Sequence, residues 1–286
     1  LSPFTDLISR SSPSLARQIA NAHSVFNVTV SLVLLPFTKH IARLAKWLVP
    51  RSPEEDKPKL TSFIDEAQHG LPAVALTEAR RELSRIGERT AEMIDCGRRA
   101  LVRDDMEAAR WVLEQESEFV DAVCVVLEEF VNRLMQEDLS VAQQSRCFQL
   151  KNLITDIERV GDLAENLAQE AQKKVAHDVS FSPRATDELD KLFEHVHGTY
   201  TCALLSVRDG EHTLARRACR LEDEFDSMYL EARQAHVDRL ESGICQPEAE
   251  VIFIEALRNL ERIGDHADNL GISVLRNRTE GGQGDG

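Results

Sequence analysis

The chain has 286 residues, 42% hydrophobic, 29% charged and only 5% aromatic, with a formal charge of −15. Few aromatics and abundant Ala, Leu, Glu and Arg favour helices over sheets, and the length suffices for a proper core. The acidic balance argues against a nucleic-acid partner, which needs cations facing phosphates, and is compatible with cation binding.

The charge is unevenly spread. Residues 1–51 carry Arg10, Arg17, Lys39, Arg43, Lys46 and Arg51 against Asp6 alone, so the rest of the chain is more acidic than the total. The first residue is Leu, which reads as a fragment whose upstream part is missing. Gln18–Thr38 contains no Lys, Arg, Asp or Glu. A helix of roughly 20 residues can cross a bilayer. Helical spacing places Ala20, His23, Ser24, Asn27 and Ser31 along one stripe, as in a helix that faces others in a membrane bundle. The cations after it place its C-terminal end in the cytoplasm. A buried helix or strand of a soluble domain is the alternative for so Val-rich a run.

The organisation expected is residues 1–49 as the last membrane segment of a truncated transporter domain, a Pro-rich linker over 50–71, a helical domain over 72–278 and a disordered glycine-rich tail over 279–286. The six cysteines form no C-x-x-C pair and read as reduced thiols of a cytosolic compartment. Helical periodicity predicts Leu76–Leu101, Glu107–Met135 and Ser140–Lys174, then Ala185–Val207, Glu211–Leu240 and Pro247–Arg278.

These six helices form two related halves, 72–175 and 182–278. "IERVGDLAENL" (Ile157–Leu167) recurs as "LERIGDHADNL" (Leu260–Leu270), with seven of eleven positions identical. "ELSRIGE" (Glu82–Glu88) matches "ELDKLFE" (Glu188–Glu194), and "EFVDAV" (Glu118–Val123) resembles "EFDSMY" (Glu224–Tyr229). The offset between halves drifts slightly, as variable loops would make it do. The fold class is all-α, a pair of duplicated three-helix bundles preceded by one hydrophobic transmembrane helix.

The repeated string stacks Glu158 on Asp162, and Glu261 on Asp265, one helical turn apart. Like charges at i, i+4 repel by a few tenths of a kcal/mol on an exposed helix. Two readings stay open. Arg159–Asp162 and Arg262–Asp265 can be ordinary ion pairs, with Gly161 and Gly264 letting helices cross closely. Alternatively the carboxylates supply oxygen ligands to a metal ion, with imidazole help for iron or zinc. His266 follows the second Asp, where the first copy has Leu163. A further E-x-x-x-D pair is Glu222 and Asp226; its first-half counterpart has Asp121 but Ser117 in place of the Glu.

The duplicated unit with "ERVGD" and "ERIGDH" resembles the PhoU family of phosphate-regulatory proteins. The resemblance implies multinuclear iron or zinc clusters on Glu158, Asp162, Glu261 and Asp265, and on Glu222 and Asp226. "RQIANAHSVFNVTVSLVLLPF" (Arg17–Phe37) is similar to the last membrane segment of bacterial sodium/phosphate cotransporters. That implies a cytoplasmic regulatory portion of a sodium:phosphate symporter at the inner membrane, joined to an upstream transporter domain. Sodium and phosphate would bind the missing core, since its paired Gln-Ser-Ser-Ser motifs do not occur here. Partners would be the membrane, that domain and a homo-oligomer.

The alternative is a free-standing PhoU-type adaptor that binds metal and a transporter or sensor. A carboxylate-bridged metal oxidase is the weakest reading, because it needs two E-x-x-H motifs and the nearest thing is Glu194-His195-Val196-His197. No nucleophile–base set or phosphate-cradling glycine loop is visible, so no enzyme is expected.

Overall fold

The computed structural model describes residues 13–37, 60–65, 68, 70–243 and 247–281. Two units separate at Lys59/Leu60. The first contains α1 (Leu15–Leu34), closed by a 3-10 turn, Leu35–Phe37. The second contains α2 (Pro72–Arg103), α3 (Met106–Gln115), a single π turn (Glu116–Val120) leading without a break into α4 (Asp121–Leu134), and α5 (Val141–Ala176). It continues with α6 (Pro183–Asp209), α7 (His212–Glu241) and α8 (Pro247–Gly281). Among the described residues there is no strand.

Local chemistry accounts for the helix ends. Ser140 and Gln143 form a reciprocal capping box at the start of α5. Ser182 accepts from the Ala185 N–H at 3.3 Å, with Pro183 in the first helical position of α6. Asp105 caps α3 by accepting from the Ala108 N–H at 3.0 Å. Gly210, at φ +69°, turns the chain out of α6 in a conformation that strains other residues.

Helices α2, α3–α4 and α5 make one three-helix bundle, and α6, α7 and α8 make the other. Each is filled by Leu, Ile, Val and Ala at helical spacing, with Phe130, Phe193, Phe225 and Phe253 as the largest apolar fillers. The bundles join like with like: α2 packs on α6, and α5 on α8. Thr90 and Tyr200, both fully buried, share a hydrogen bond of 2.5 Å across this seam. Arg98 grips Asp190 with two parallel bonds of 2.7 and 2.9 Å. On the other side His266 Nδ1 meets Asp156 at 2.9 Å.

Part of the stretch read as linker is docked on this domain. Buried Glu82 accepts the backbone N–H groups of Ser62 and Phe63 at 2.8 Å each. Arg85 donates to the Leu60 carbonyl at 2.7 Å, and Arg81 lies over the Phe63 ring. The Glu82 carboxylate, which opens the repeated "ELSRIGE", is therefore an anchor for the incoming chain.

The membrane placement requires correction. Helix α1 forms where the charge-free window begins, yet no helix among the described residues is long and apolar enough to cross a membrane. The polar stripe expected to face other membrane helices supplies the reason: Arg17, Gln18, Asn21, His23 and Asn27 dilute the apolar positions of a helix that ends at Leu34. His23 and Asn27 hydrogen-bond one another at 3.0 Å, so the polar stripe is partly satisfied within the helix. The assignment to the inner membrane, with following residues in the cytoplasm, falls with it. The cation cluster Lys39, Arg43, Lys46 and Arg51 and the tail after 281 lie outside the described residues.

The two repeated glycines are not equivalent. A Cβ on Gly161 would stand 3.0 Å from Val120 Cγ1, on the π turn, whereas one on Gly264 would meet Phe225 at an ordinary 3.6 Å. Replacing a mid-helix glycine by alanine gains up to ~1 kcal/mol in propensity. Gly264→Ala is therefore expected to raise the melting temperature, and Gly161→Ala to lower it. Thermal denaturation of the two variants side by side checks this; a Gly161→Ala gain equal to that of Gly264→Ala would mean Val120 yields freely.

Candidate functional site

Each bundle presents an acidic face built from its second and third helices. In the first bundle Glu116, Asp121 and Asp162 bring one carboxylate oxygen each within 4.8 Å of the others. Glu116 comes from the π turn, Asp121 from the first turn of α4, and Asp162 from the repeated string on α5. Glu116 is 6% exposed. Burial, a hydrogen bond to Asp121 and the charges of Asp121, Glu165 and Asp162 push its carboxyl up to about 8. Glu158 lies one turn before Asp162, and burial followed by the charges of Asp162, Asp121 and Glu128 raises it as well. Burial and the same acids push the Cys124 thiol upward, so it stays protonated and apolar in character.

The π turn explains how this site forms from a motif that looked broken. The Asp121 N–H bonds the Glu116 carbonyl, five residues back. One extra residue is thus absorbed inside the helix, and Glu116 falls on the turn above Asp121. In the second bundle the uninterrupted α7 places Glu222 above Asp226 with the usual four-residue step. The Glu was not replaced by Ser117; it moved by one position. Ser117 instead donates to the Leu113 carbonyl at 3.2 Å. Part of the drift in repeat offset carried this signal: one residue of it arises within the helix, and the rest between the second and third helices.

In the second bundle the acids are Glu222 and Asp226 on α7, and Glu261 and Asp265 on α8. Burial first, then Asp226, Asp268 and Asp265, lifts Glu222 to about 7. Glu261 is raised by burial, Asp265 and Asp226. Asp265 is raised by burial, Asp226 and Asp268 against the opposing pull of His266 and Arg262. Burial and a hydrogen bond to Asp268 push the Cys219 thiol up to about 12.

The arginine-pairing reading holds in part. Arg159 reaches Asp162 at 3.2 Å on a well-exposed surface, where such a pair contributes little. Neither arginine prevents the neighbouring glutamate from being raised. The two histidines with possible ligand roles are engaged elsewhere: His266 with Asp156, and His195 Nε2 with the Leu221 carbonyl at 2.7 Å. The gathered donors are therefore oxygens. Such a set fits iron or another hard cation better than zinc, which usually adds imidazole or thiolate.

Two pseudo-equivalent helical bundles, each with a self-repelling acidic face, define a duplicated all-helical scaffold. The PhoU domain matches residues 83–171 and again 189–274, one copy per bundle, and the chain belongs to the PhoU family. YjbB of Escherichia coli K12, a protein named for inorganic phosphate export, is 24% identical over 284 residues, which is 97% of this chain and 52% of that protein. The chain thus spans about half the length of the curated relatives it matches at this extent. The phosphate-specific transport system accessory protein PhoU homolog 1 of Thermotoga maritima is 26% identical over 201 residues, 70% of this chain and 85% of that protein. PhoU of Pseudomonas aeruginosa has the same fold, with a TM-score of 0.68 at 23% identity over 73% of this chain and 99% of that one. The resemblance to PhoU is thus borne out; the likeness to a sodium/phosphate cotransporter is not shown by these similarities.

Proposed function

We propose that the chain is a non-catalytic regulatory module of phosphate transport, an adaptor that binds a transport component and holds iron or another hard cation on its acidic faces. Its main support is that both bundles match the PhoU domain, and that relatives over this region are accessory proteins of phosphate transport systems. An adaptor is better supported than a segment of a sodium symporter, because the helical domain accounts for nearly the whole of a PhoU chain. The cation follows from the chemistry of the faces: Glu116, Asp121 and Asp162 would hold it in the first bundle, with Glu158 beside them. Glu222, Asp226, Glu261 and Asp265 would do so in the second. A bound cation neutralises charges that otherwise compel two glutamates to retain protons near neutral pH.

A second reading is favoured by one observation: the similarity to YjbB runs beyond the PhoU copies to 97% of the chain. Here the module regulates phosphate export in particular. One experiment addresses both. Cells carry either the wild-type chain or the variant Glu116→Gln, Asp162→Asn, Glu261→Gln, Asp265→Asn, and labelled phosphate flux is followed inward and outward. The chains are then purified for elemental analysis. The expected result is cation in the wild type only, with flux altered in the variant; a change confined to efflux selects the export reading. Unchanged flux on deleting the chain overturns regulation, and a wild-type protein without metal overturns the cation assignment.

A further inference from the structure

A recess of about 910 Å³ opens where α2, α5 and α7 begin, and it shares no residue with the acidic faces. Its charged lining consists of Arg80, Arg81, Arg146 and Arg208, joined by His212, without a single Asp or Glu. In a chain of formal charge −15 that is a marked local inversion. Arg81 is held by Glu78 at 3.1 Å, and Arg208 by Asp209 at 2.8 Å. Arg80 and Arg146 have no ion pair among the described residues. Burial, and then the neighbouring Arg146, lower the pKa of Arg80, which measures how poorly its charge is compensated. His212 Nε2 is buried without a hydrogen-bond partner. None of α2, α5 and α7 carries an acidic residue in its first turn; Glu211 stands at the N-cap of α7, so the unopposed partial positive charge is that of the α2 and α5 ends.

Two guanidinium groups lining one recess, one of them half-buried, repel each other, and an anion between them relieves that repulsion. The planar fork of arginine matches a tetrahedral oxyanion through paired N–H donors. We propose that this recess binds a phosphate group, held by Arg80 and Arg146, with His212 and the helix ends adding donors. The group arrives either as free phosphate or as the monoester end of a larger molecule, whose body would lie against Leu76, Leu150 and Val207 in the apolar part of the lining. The volume is within the range of sites for drug-sized ligands. This binding needs neither a cation on the acidic faces nor a transport partner, so it stands or falls apart from the regulatory reading.

Calorimetric titration of the purified full chain, in chelator, tests it with two probes: inorganic phosphate and adenosine monophosphate. Binding of either is expected, weakened about tenfold or more by Arg80→Gln and by Arg146→Gln, and little changed by Arg81→Gln. Phosphate binding as tightly as the nucleotide assigns free phosphate; nucleotide binding alone assigns the monoester, and adenosine should then not compete. Arg146 is exposed, so Arg146→Gln remains decisive should Arg80→Gln impair folding. No heat with either probe overturns the proposal. So does binding that survives Arg146→Gln, or an equal loss with Arg81→Gln, which would mark a diffuse field and no site.

Discussion

Glu116→Gln should stabilise the metal-free protein at pH 8 while weakening the cation binding proposed for the first acidic face. In the unfolded chain the carboxyl ionises near 4.5, whereas in the fold it holds its proton to about 8. Between those values the folded state binds more protons, so stability falls as pH rises through that window. Glutamine cannot ionise and keeps the size and a donor for Asp121. The variant should exceed the wild type by about 2 kcal/mol at pH 8, allowing for solvent screening of the cluster, and the difference should vanish near pH 4.5. Denaturant titration in chelator at both pH values measures this. A variant less stable than wild type at pH 8 would mean that the ionised cluster is relieved by something other than a cation.

Glu188→Ala should destabilise strongly, by about 3 kcal/mol. Glu188 opens the second half where Glu82 opens the first, and both acids are structural anchors. It accepts from Arg239 Nη1 at 2.6 Å and from Arg184 at 3.1 Å. The Arg239 side chain is 6% exposed, stands over the Phe253 ring, and already leaves Nε and Nη2 without partners. His236 stacks on the same ring, and burial together with Arg239 lowers its pKa, so it cannot share the charge. Removing Glu188 strands a buried cation. Adding Arg239→Met removes that cation while keeping an unbranched apolar chain over Phe253, and should restore most of the loss. Chemical denaturation of the single and double variants decides it; a double variant no better than Glu188→Ala would place the effect in the helix start.

The helices were legible in the sequence because each carries an unbroken apolar stripe, and because Ser140, Ser182 and Pro183 mark ends by local chemistry alone. The pairing of equivalent helices in two bundles followed from the repeat. Half of the candidate site was legible as well: Asp162 and the second-bundle acids lie on regular helices, where spacing and face correspond. Glu116 was not, because the four-residue step that defines a helical face fails across a π turn. The membrane expectation failed for a different reason: the stripe with His23 and Asn27 was expected to face other helices of a bundle, whereas these residues lower the apolarity of the helix itself. The anchoring roles of Glu82 and Glu188 were not legible, because their partners, the Ser62–Phe63 backbone and Arg239, are remote in sequence.

The widened turn at Glu116–Val120 also dates events in the history of the chain. A copied segment begins with both halves equal in length, so a residue present in only one second helix entered or left after the copying. In a regular helix such a change would turn everything downstream by about 100° and carry Val123, Leu127 and Phe130 away from the core. Confining the surplus to one turn leaves those side chains buried and lets a length change survive in the middle of a packed helix. Aligning the halves with gaps forbidden inside helices would pair Ser117 with the wrong ancestor, and would lose the one carboxylate that completes the first site.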